Sequence, residues 1–281
     1  MPVAGDQGVS CLMVTCRPAH ALLAIEAFRR QTHAERELVI VDDTPGACLS
    51  AAVSAMRDPA LRVVQPRGKL SIGNLRNLAV EHARGRFICT WDDDDLYDPL
   101  RLEWQIGAAV STQAAACLLV NELMWWPHQQ RLAVSGRRPW EHSLLCERAV
   151  LPPYPDLKRG SDSPVTRHVI KHYPTALLPW PSLYVHVYHG HNTWGDDHFE
   201  QFWAFSEERF VGDAYDAAID KLGSRLPIAD YLRLLGLRPY TSRQQRRAAQ
   251  RATRQDSWAA DLVRRTFDLP TSGAESIIRL G

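Results

Sequence analysis

The chain has 281 residues and a formal net charge of +1, with 45% hydrophobic and 23% charged residues, which is the ordinary composition of a globular protein with a substantial core. The balanced charge argues against a nucleic-acid partner, and six scattered cysteines without a CxxC pair indicate reduced core thiols. Because the N-terminal sequence lacks a secretory signal and no apolar run approaches the roughly 20 residues that span a bilayer, we expect a cytoplasmic protein.

Strands and helices alternate along the first 110 residues. Apolar runs predict strands, and segments with a helical stripe or a capping residue predict helices between them. The strands are predicted at Val9–Thr15, Glu37–Val41, Leu61–Val64 and Arg86–Trp91, and the helices at Ala19–Arg30, Cys48–Met56, Ser71–Ala83 and Pro99–Val110. Such alternation requires crossover connections and therefore predicts a mostly parallel sheet with helices on both faces.

The pattern changes after residue 115. Ala116–Trp125 and Arg131–Ser135 predict an antiparallel pair of strands. Prolines are then dense between residues 139 and 181, which predicts long irregular segments of the kind that often carry binding residues. Further on, Asp213–Leu222 and Ile228–Leu235 predict helices.

Asp92–Asp95 place four carboxylates directly after the apolar residues of the fourth predicted strand. Adjacent negative charges repel each other, and the repulsion costs more in buried surroundings. Polar groups also follow the first and second strands, at Thr15–Arg17 and Asp42–Asp43. Ligands of open α/β sheets bind beyond the carboxyl ends of the strands, so these groups predict one binding site that includes positive charge.

Asp92 and Asp94 alternate, so in extended chain both side chains face the same way. A D-x-D pair of this kind suits Mg²⁺ or Mn²⁺, which binds a few carboxylates and completes its shell with water and phosphate oxygens. The alternative is a helix N-terminus, where acids offset the helix dipole. That alternative accounts for Asp95 and Asp98, which are nearest the next helix, better than for all four carboxylates.

The ordered set of these motifs resembles the nucleotide-sugar domain of family 2 glycosyltransferases, which have the GT-A fold. The resemblance rests on VSCLMVTCRP…FRRQT…ELVIVDD…SIGNLRNLAVEHARGRFICTWDDDDLYDPLRLEWQ, within about the first 110 residues. It continues more loosely to about residue 205 through WEHSLLCERAV, KRGSDSPVTRHV and LYVHVYHGHNTW.

The resemblance implies an α/β fold of the GT-A type. Its Rossmann-like, mostly parallel central sheet would be flanked by helices, with a small antiparallel part and a helical C-terminal extension. The GT-A domain would occupy residues 1–212, with a nucleotide-sugar-binding half at 1–110 and an acceptor-side half at 111–212. The extension would occupy residues 213–281.

The resemblance also implies a role for each matching residue. Asp162, in a Gly-Ser-Asp segment that matches the family's Gly-Glu-Asp, would be the general base. Asp94 would bind the metal together with His189, a late histidine. Donor-binding roles fall to Thr15, Arg17, Asp42, Asp43, Arg76, Asn77, Asp92 and Asp93. Cys16-Arg17 departs from the family's Tyr-Asn pair, which leaves the identity of the donor base open.

Each of these roles has a structural alternative. Asp43 could form an Asx-turn before Pro45, Arg76 a surface ion pair, and Asp162 a helix cap. His189 competes for the metal with three other histidines, namely His186, His191 and His198. Trp140 and Trp194 are candidates for stacking on acceptor sugars, and each could equally belong to the core.

The expected function is therefore an inverting glycosyltransferase that uses Mn²⁺ or Mg²⁺. It would move a sugar from a nucleoside-diphosphate sugar, expected to be UDP-linked, to an acceptor hydroxyl in surface polysaccharide or glycoconjugate assembly. Two other classes stay open: a catalytically silent nucleotide-sugar-binding module, and a nucleotidyltransferase, although no G-x-x-x-x-G-K-[ST] loop is present.

The segment 241–256 carries five arginines, at positions 243, 246, 247, 251 and 254, against the single acid Asp256. One interpretation is a solvated helix. The other is peripheral contact with the anionic inner face of a membrane, where a lipid-linked acceptor would be presented, because each basic residue near such a surface contributes about 1 kcal/mol.

Overall fold

The structure is a computed structural model that describes residues 7–46, 48–238, 263, 266–268 and 277–280. Its helices and strands alternate through most of this range. In chain order they are β1 (Val9–Thr15), α1 (Pro18–Arg29), β2 (Arg36–Asp42), α2 (Cys48–Ala55), β3 (Leu61–Val64), α3 (Ile72–His82), β4 (Phe87–Thr90), β5 (Leu96–Tyr97), α4 (Arg101–Ser111), β6 (Ala116–Leu119), β7 (Leu123–Trp126), β8 (Arg131–Val134), β9 (Leu145–Glu147), α5 (Asp162–His172), β10 (Thr175–Leu178), β11 (Tyr184–Val187), α6 (Asp196–Ala204), β12 (Glu208–Phe210), α7 (Asp213–Gly223), α8 (Ile228–Leu234) and β13 (Ile278–Leu280).

The strands form two sheets. The larger has the order β13-β10-β6-β9-β4-β1-β2-β3, and the smaller has the order β12-β8-β7-β11-β5. In the larger sheet β1 pairs in parallel with β2 and β4, β2 with β3, and β6 with β10, while β9 and β13 are antiparallel to their neighbours. This arrangement confirms the predicted α/β fold with a mostly parallel central sheet and a smaller antiparallel part.

Helices cover both faces of the larger sheet because its strands are apolar on both sides. In β1, Met13 belongs to a buried cluster with Phe28 of α1, whereas its neighbour Leu12 belongs to another cluster with Leu75 of α3. Successive side chains of a strand point to opposite faces, so a continuous apolar run is what such a sheet requires. The helix α3 begins as predicted at Ser71, whose Oγ accepts the backbone N–H of Asn74 at 3.3 Å.

The single strand predicted at Ala116–Trp125 is wrong, because the chain breaks there into β6 of the larger sheet and β7 of the smaller one. The break occurs at buried polar residues. Asn121 Nδ2 donates to the carbonyl of Ser135 at 2.9 Å, and the backbone N–H of Glu122 donates to Ser135 Oγ at 3.0 Å. These bonds satisfy the backbone where the chain passes between the sheets. The predicted pairing of the following strands holds, since β7 and β8 are antiparallel.

The alternative that assigned Asp95 to a helix N-terminus is also wrong. The strand β5 lies between Asp95 and α4, and the Asp95 carboxylate accepts hydrogen bonds from Tyr184 Oη at 2.6 Å and the Val187 backbone N–H at 2.8 Å. Asp98 does lie before α4, where its Oδ1 accepts the backbone N–H of Leu100 at 2.9 Å. Asp95 therefore connects the carboxylate run to β11 of the smaller sheet through these two hydrogen bonds.

The C-terminal part contributes more than helices. α7 and α8 pack against the smaller sheet in one buried cluster, and Trp125 Nε1 donates to Tyr215 Oη at 3.0 Å. Ile278–Leu280 form an edge strand antiparallel to β10. The predicted membrane-contact segment 241–256 lies outside the described residues. Among the helices that are described, none has the length and apolar character to cross a bilayer.

Candidate active site

A cleft of about 1130 Å³ opens beyond the carboxyl ends of β1, β2 and β4. Pockets for one small ligand measure about 300–1,000 Å³, so this cleft has room for more than one substrate. Its wall carries charges of both signs. The acids include Asp43, Asp92, Asp93, Asp94, Asp156 and Asp162, and the bases are Arg17, Lys69, Arg76, Lys158 and Arg159. Most of the predicted site residues thus line one space, together with positively charged side chains.

Asp93 is buried and held by the end of β1. Thr15 Oγ1 donates to its Oδ2 at 2.6 Å, and the guanidinium of Arg17 contacts both of its oxygens. Burial and the neighbouring charge of Asp94 raise the pKa of Asp93 to about 6, although Arg17 and Thr15 act in the opposite direction. Asp93 thus faces the interior of the site and positions Arg17.

Asp94 and His189 come together from segments 95 residues apart, with Asp94 Oδ2 and His189 Nε2 at 3.0 Å. Arg17 Nη1 lies 2.7 Å from that same carboxylate oxygen and 3.3 Å from the same imidazole nitrogen. Burial alone would raise the pKa of Asp94, but the His189 hydrogen bond and the Arg17 charge hold it below the usual range. A carboxylate oxygen and an imidazole nitrogen at this spacing can share one cation, and Arg17 supplies a positive charge at that place.

Asp92 and Asp162 lie on opposite sides of one arginine. Arg76 Nη2 is 3.6 Å from Asp92 Oδ1, and Arg76 Nη1 is 3.9 Å from Asp162 Oδ2. Arg76 Nη1 also donates to Ser161 Oγ at 2.8 Å, and the guanidinium lies over the ring of Tyr154. Burial would lower the pKa of Arg76, yet the charges of Asp162 and Asp92 raise it. Arg76 therefore joins the first carboxylate of the D-x-D pair to the candidate base.

The surroundings of Asp162 bear on its alternative role as a helix cap. Asp162 is the first residue of α5, and its Oδ1 accepts the backbone N–H of the next residue, Ser163, at 3.1 Å. A capping side chain instead accepts an N–H two or three residues further on. Ser161, which stands where the family has an acid, is buried and accepts its hydrogen bond from Arg76. Asp162 thus lines the cleft without the hydrogen bond of a helix cap, and Ser161 positions Arg76.

Four predicted site residues do not line the cleft, namely Asp42, Asn77, Trp140 and His189, and His189 is buried where it contacts Asp94. Asp42 is buried and accepts the Thr44 backbone N–H at 3.1 Å, so it supports the turn after β2. Asn77 uses both of its polar atoms on the backbone of Tyr154, each at 2.8 Å. Trp140 is 2% exposed, with the guanidinium of Arg138 over its ring at 4.0 Å.

Other predicted residues do reach the cleft. Asp43 lines it next to Thr15, and its backbone N–H donates to the Thr15 carbonyl at 2.8 Å. Trp194 is 44% exposed and stacks on the ring of His198 with 4.8 Å between the ring centroids. Of the competing histidines, His189 contacts Asp94, whereas His186 lies 3.6 Å from Asp95.

Sequence reasoning missed several residues of the cleft. Lys69, Lys158 and Arg159 bring positive charge from loops, and no residue pattern marked them as basic ligands. Glu122, His142 and His186 form a group at the cleft, in which Glu122 is buried and both histidines are half-buried. A signal for Glu122 was present in the sequence, since a polar Asn-Glu pair interrupts an otherwise apolar run.

Comparison with known proteins supports the family resemblance. The family model described as Glycosyl transferase family 2 matches residues 11–124. The succinoglycan biosynthesis protein ExoO of Rhizobium meliloti (strain 1021) is 36% identical over 100 residues, which cover 36% of this chain and 28% of ExoO. The Escherichia coli protein WfgD, named as a UDP-Glc:alpha-D-GlcNAc-diphosphoundecaprenol beta-1,3-glucosyltransferase, is 30% identical over 103 residues, covering 36% of this chain and 41% of WfgD.

A solved structure supports the fold over a longer range. S. aureus TarS 1-349, crystallised in complex with UDP-GlcNAc, matches with a TM-score of 0.52 over 81% of this chain and 70% of TarS, at 17% identity. The matches to ExoO and WfgD span less than half of the length of either relative.

Proposed function

We propose, from the match of residues 11–124 to the model of glycosyl transferase family 2 and from the geometry of the cleft, that the protein is an inverting glycosyltransferase. It moves a sugar from a nucleoside-diphosphate donor to an acceptor hydroxyl during polysaccharide or glycoconjugate assembly. The observation that carries the proposal is the chain of contacts from Asp92 through Arg76 to Asp162 inside one cleft. It connects the carboxylates at the strand ends to Asp162, a carboxylate that lines the cleft and can act on an acceptor.

The donor occupies the half of the cleft formed by the first two strands. Asp43 and Thr15 lie where the nucleoside would enter, and Lys69 offers a positive charge for the diphosphate. A UDP-linked donor is favoured by the name of WfgD, which includes UDP-Glc. The name of ExoO favours a role in polysaccharide assembly, and that of WfgD favours a lipid-linked acceptor.

Asp94 and His189 are proposed to hold Mn²⁺ or Mg²⁺. Their ligand atoms are 3.0 Å apart, and carboxylate oxygen with imidazole nitrogen is a donor set that Mn²⁺ accepts. An ion held by Asp94 and His189 would supply positive charge for the departing diphosphate. Arg17 Nη1 contacts the same two atoms, so this guanidinium must move aside when the metal binds.

Asp162 is proposed to accept the proton of the attacking hydroxyl. A general base contributes about 10²–10⁴-fold to a rate, and a single base with attack opposite the leaving group inverts the anomeric centre. Trp194 is exposed at the same cleft and offers an apolar face on which an acceptor sugar can stack. Arg76, held by Ser161, keeps the two ends of this arrangement together.

A screen of nucleotide sugars with the purified protein tests the proposal. We expect one UDP-sugar to be consumed in the presence of Mn²⁺, with UDP as product, faster with a saccharide acceptor and much slower with excess chelator. The anomeric configuration of the product, read by NMR, should be opposite to that of the donor. Donor binding without turnover would contradict the proposal, and release of pyrophosphate would assign the protein to the nucleotidyltransferases.

A further inference from the structure

A second group of metal-ligating side chains lies beside the cleft, apart from Asp94 and His189. Glu122 stands at the break between β6 and β7, His142 lies in the turn before β9, and His186 lies in β11. Each offers one ligand atom, and these atoms all lie within 4.8 Å of one another. Both histidines line the cleft, whereas Glu122 is fully buried.

The hydrogen bonding of this group is incomplete. Glu122 Oε2 contacts His142 Nε2, but Glu122 Oε1 and His186 Nδ1 are buried without a hydrogen-bond partner, 4.0 Å apart. Each buried polar atom left unpaired costs about 1–3 kcal/mol. No lysine or arginine among the described residues forms an ion pair with Glu122 within 4.0 Å. A cation placed between Glu122 Oε1 and His186 Nδ1 would give both atoms a partner.

We propose that Glu122, His142 and His186 bind a transition-metal ion of the Zn²⁺ class, separate from the ion at Asp94 and His189. Two imidazoles and one carboxylate are the ligand set that Zn²⁺ and its neighbours prefer, whereas Mg²⁺ and Ca²⁺ prefer oxygen alone. Metal–ligand bonds of about 2.0–2.2 Å can bridge the 4.0 Å between Glu122 Oε1 and His186 Nδ1.

A metal-free explanation exists and accounts for less. Burial raises the pKa of Glu122 to about 8, and burial together with His186 lowers that of His142 to about 3, so the two can share one proton as a neutral pair. That pair explains the contact between Glu122 and His142. It leaves Glu122 Oε1 and His186 Nδ1 unsatisfied, and a bound ion satisfies both.

The ion would connect three segments that no single secondary-structure element joins. They are the break after β6, the turn before β9 and the strand β11, which together carry the histidine side of the cleft. Three protein ligands also leave Zn²⁺ a fourth position for a water or another oxygen ligand. The Asp95 carboxylate is near, with Oδ2 3.6 Å from His186 Nδ1, although Tyr184 already donates to that oxygen.

Cobalt titration of the full-length protein, stripped with a chelator and kept free of donor, tests the site. Co²⁺ replaces Zn²⁺ at such sites and gives a ligand-field absorption that reports histidine ligation. We expect the wild-type protein to bind one Co²⁺ at Glu122, His142 and His186 with this signature and to release it to added Zn²⁺. Glu122→Gln and His186→Gln should each weaken binding by at least roughly 100-fold, because each removes a ligand and loss of a residue that only supports a ligand already costs about 10–100-fold.

Two matched controls locate the ion. Asp94→Asn removes a ligand of the donor-side metal, and His198→Gln removes a histidine that is not in the group. Both should keep the cobalt spectrum, and circular dichroism should show that every variant is folded. No absorption in the wild type, an unchanged spectrum in folded Glu122→Gln, or loss of the spectrum in Asp94→Asn would overturn the proposal. Because no sugar donor is present, the result is independent of glycosyl transfer.

Discussion

The protein neutralises its two groups of inward-facing carboxylates in different ways. Around Asp92–Asp94 each carboxylate contacts a guanidinium, from Arg76 or Arg17, at the wall of an open cleft. Glu122 is fully buried and contacts only imidazoles among the described ion pairs. Guanidinium stays charged at every accessible pH, whereas imidazole and a buried carboxyl can lose or gain a proton. The first group is thus built for permanent charge, and the second depends on a proton or a metal.

Asp94→Ala should have the largest effect and tests whether the first group serves catalysis. Removal of Asp94 takes away one of the two atoms that would hold the donor-side metal, so we expect turnover to fall below detection. The fold should survive, because Arg17 keeps its contacts with Asp93 and one of several repelling charges is gone. Turnover is measured as UDP released with Mn²⁺, and stability as the midpoint of thermal unfolding.

The matched control is Asp156→Ala, which removes a carboxylate that lines the same cleft but contacts neither Arg17 nor His189 in the described structure. It should retain most activity. Turnover of Asp94→Ala close to wild type, or full wild-type activity in excess chelator, would remove the metal from the proposed function.

Asp162→Asn should have the next largest effect. Asparagine keeps the shape and most of the hydrogen bonding but cannot accept a proton, so we expect turnover to fall by about 10²–10⁴-fold. Donor affinity, measured by titration, should change little because Asp43, Asp92 and Asp94 are intact. If Asp162 only supported the start of α5, asparagine would serve about as well and the rate would stay near wild type. In that case Glu141, which Ser163 contacts at 3.5 Å, becomes the next candidate base.

The two groups also differ in how far the sequence revealed them. The D-x-D group follows a strand whose apolar run is unambiguous. The family resemblance predicted that His189 lies with Asp94, and the two residues are in contact although 95 positions apart in the chain. Glu122 was hidden because Ala116–Trp125 has the apolar content of one strand. Its break depends on a tertiary contact, the hydrogen bond from Asn121 to Ser135, which no local propensity encodes.

The positions of aromatic residues in the irregular segments also could not be predicted from local sequence. Trp140 and Trp194 have equal hydrophobicity, yet one is buried beside Arg138 and the other is 44% exposed at the cleft. Which of them faces a ligand depends on the path of proline-rich loops, and those loops are positioned by packing between distant elements. The strands and helices up to residue 111 needed no such information, since their periodicity places each face, with the exception of the two-residue strand β5, which forms only by pairing with the distant β11.

Glu122→Gln should change the pH dependence of stability in chelator-treated protein. Burial raises the pKa of Glu122 from 4.5 to about 8 in the folded state. The folded protein therefore binds more protons than the unfolded chain between these values, and the wild type should lose stability as pH rises from about 4.5 through 8. The loss is at most on the order of 5 kcal/mol, from about 1.4 kcal/mol per pKa unit.

Glutamine cannot ionise, so unfolding by denaturant at pH 5 and pH 8 should differ less for Glu122→Gln than for the wild type. Zn²⁺ added at pH 8 should restore the wild type alone. Glu147→Gln is the control, because that carboxylate is part of an exposed ion pair with Arg86 and its loss should leave the pH profile unchanged. Identical profiles for Glu122→Gln and wild type would show that Glu122 stays ionised. Glu122 would then not differ in protonation from the carboxylates of Asp92–Asp94.

Arg17→Gln should have the smallest effect, and it tests whether the guanidinium of the first group stands where the metal binds. Arg17 Nη1 contacts Asp94 Oδ2 at 2.7 Å and His189 Nε2 at 3.3 Å, so a cation on these atoms must displace it. Its removal should strengthen Mn²⁺ binding by roughly tenfold, close to the strength of one charge interaction that is well screened by water. Electron paramagnetic resonance of free Mn²⁺ measures this without donor, in a Glu122→Gln background that excludes the second site.

Arg76→Gln is the control, because Arg76 pairs with Asp92 and Asp162 rather than Asp94, and its effect should be smaller. Weaker Mn²⁺ binding in Arg17→Gln would mean that Arg17 organises the metal ligands instead of competing for them.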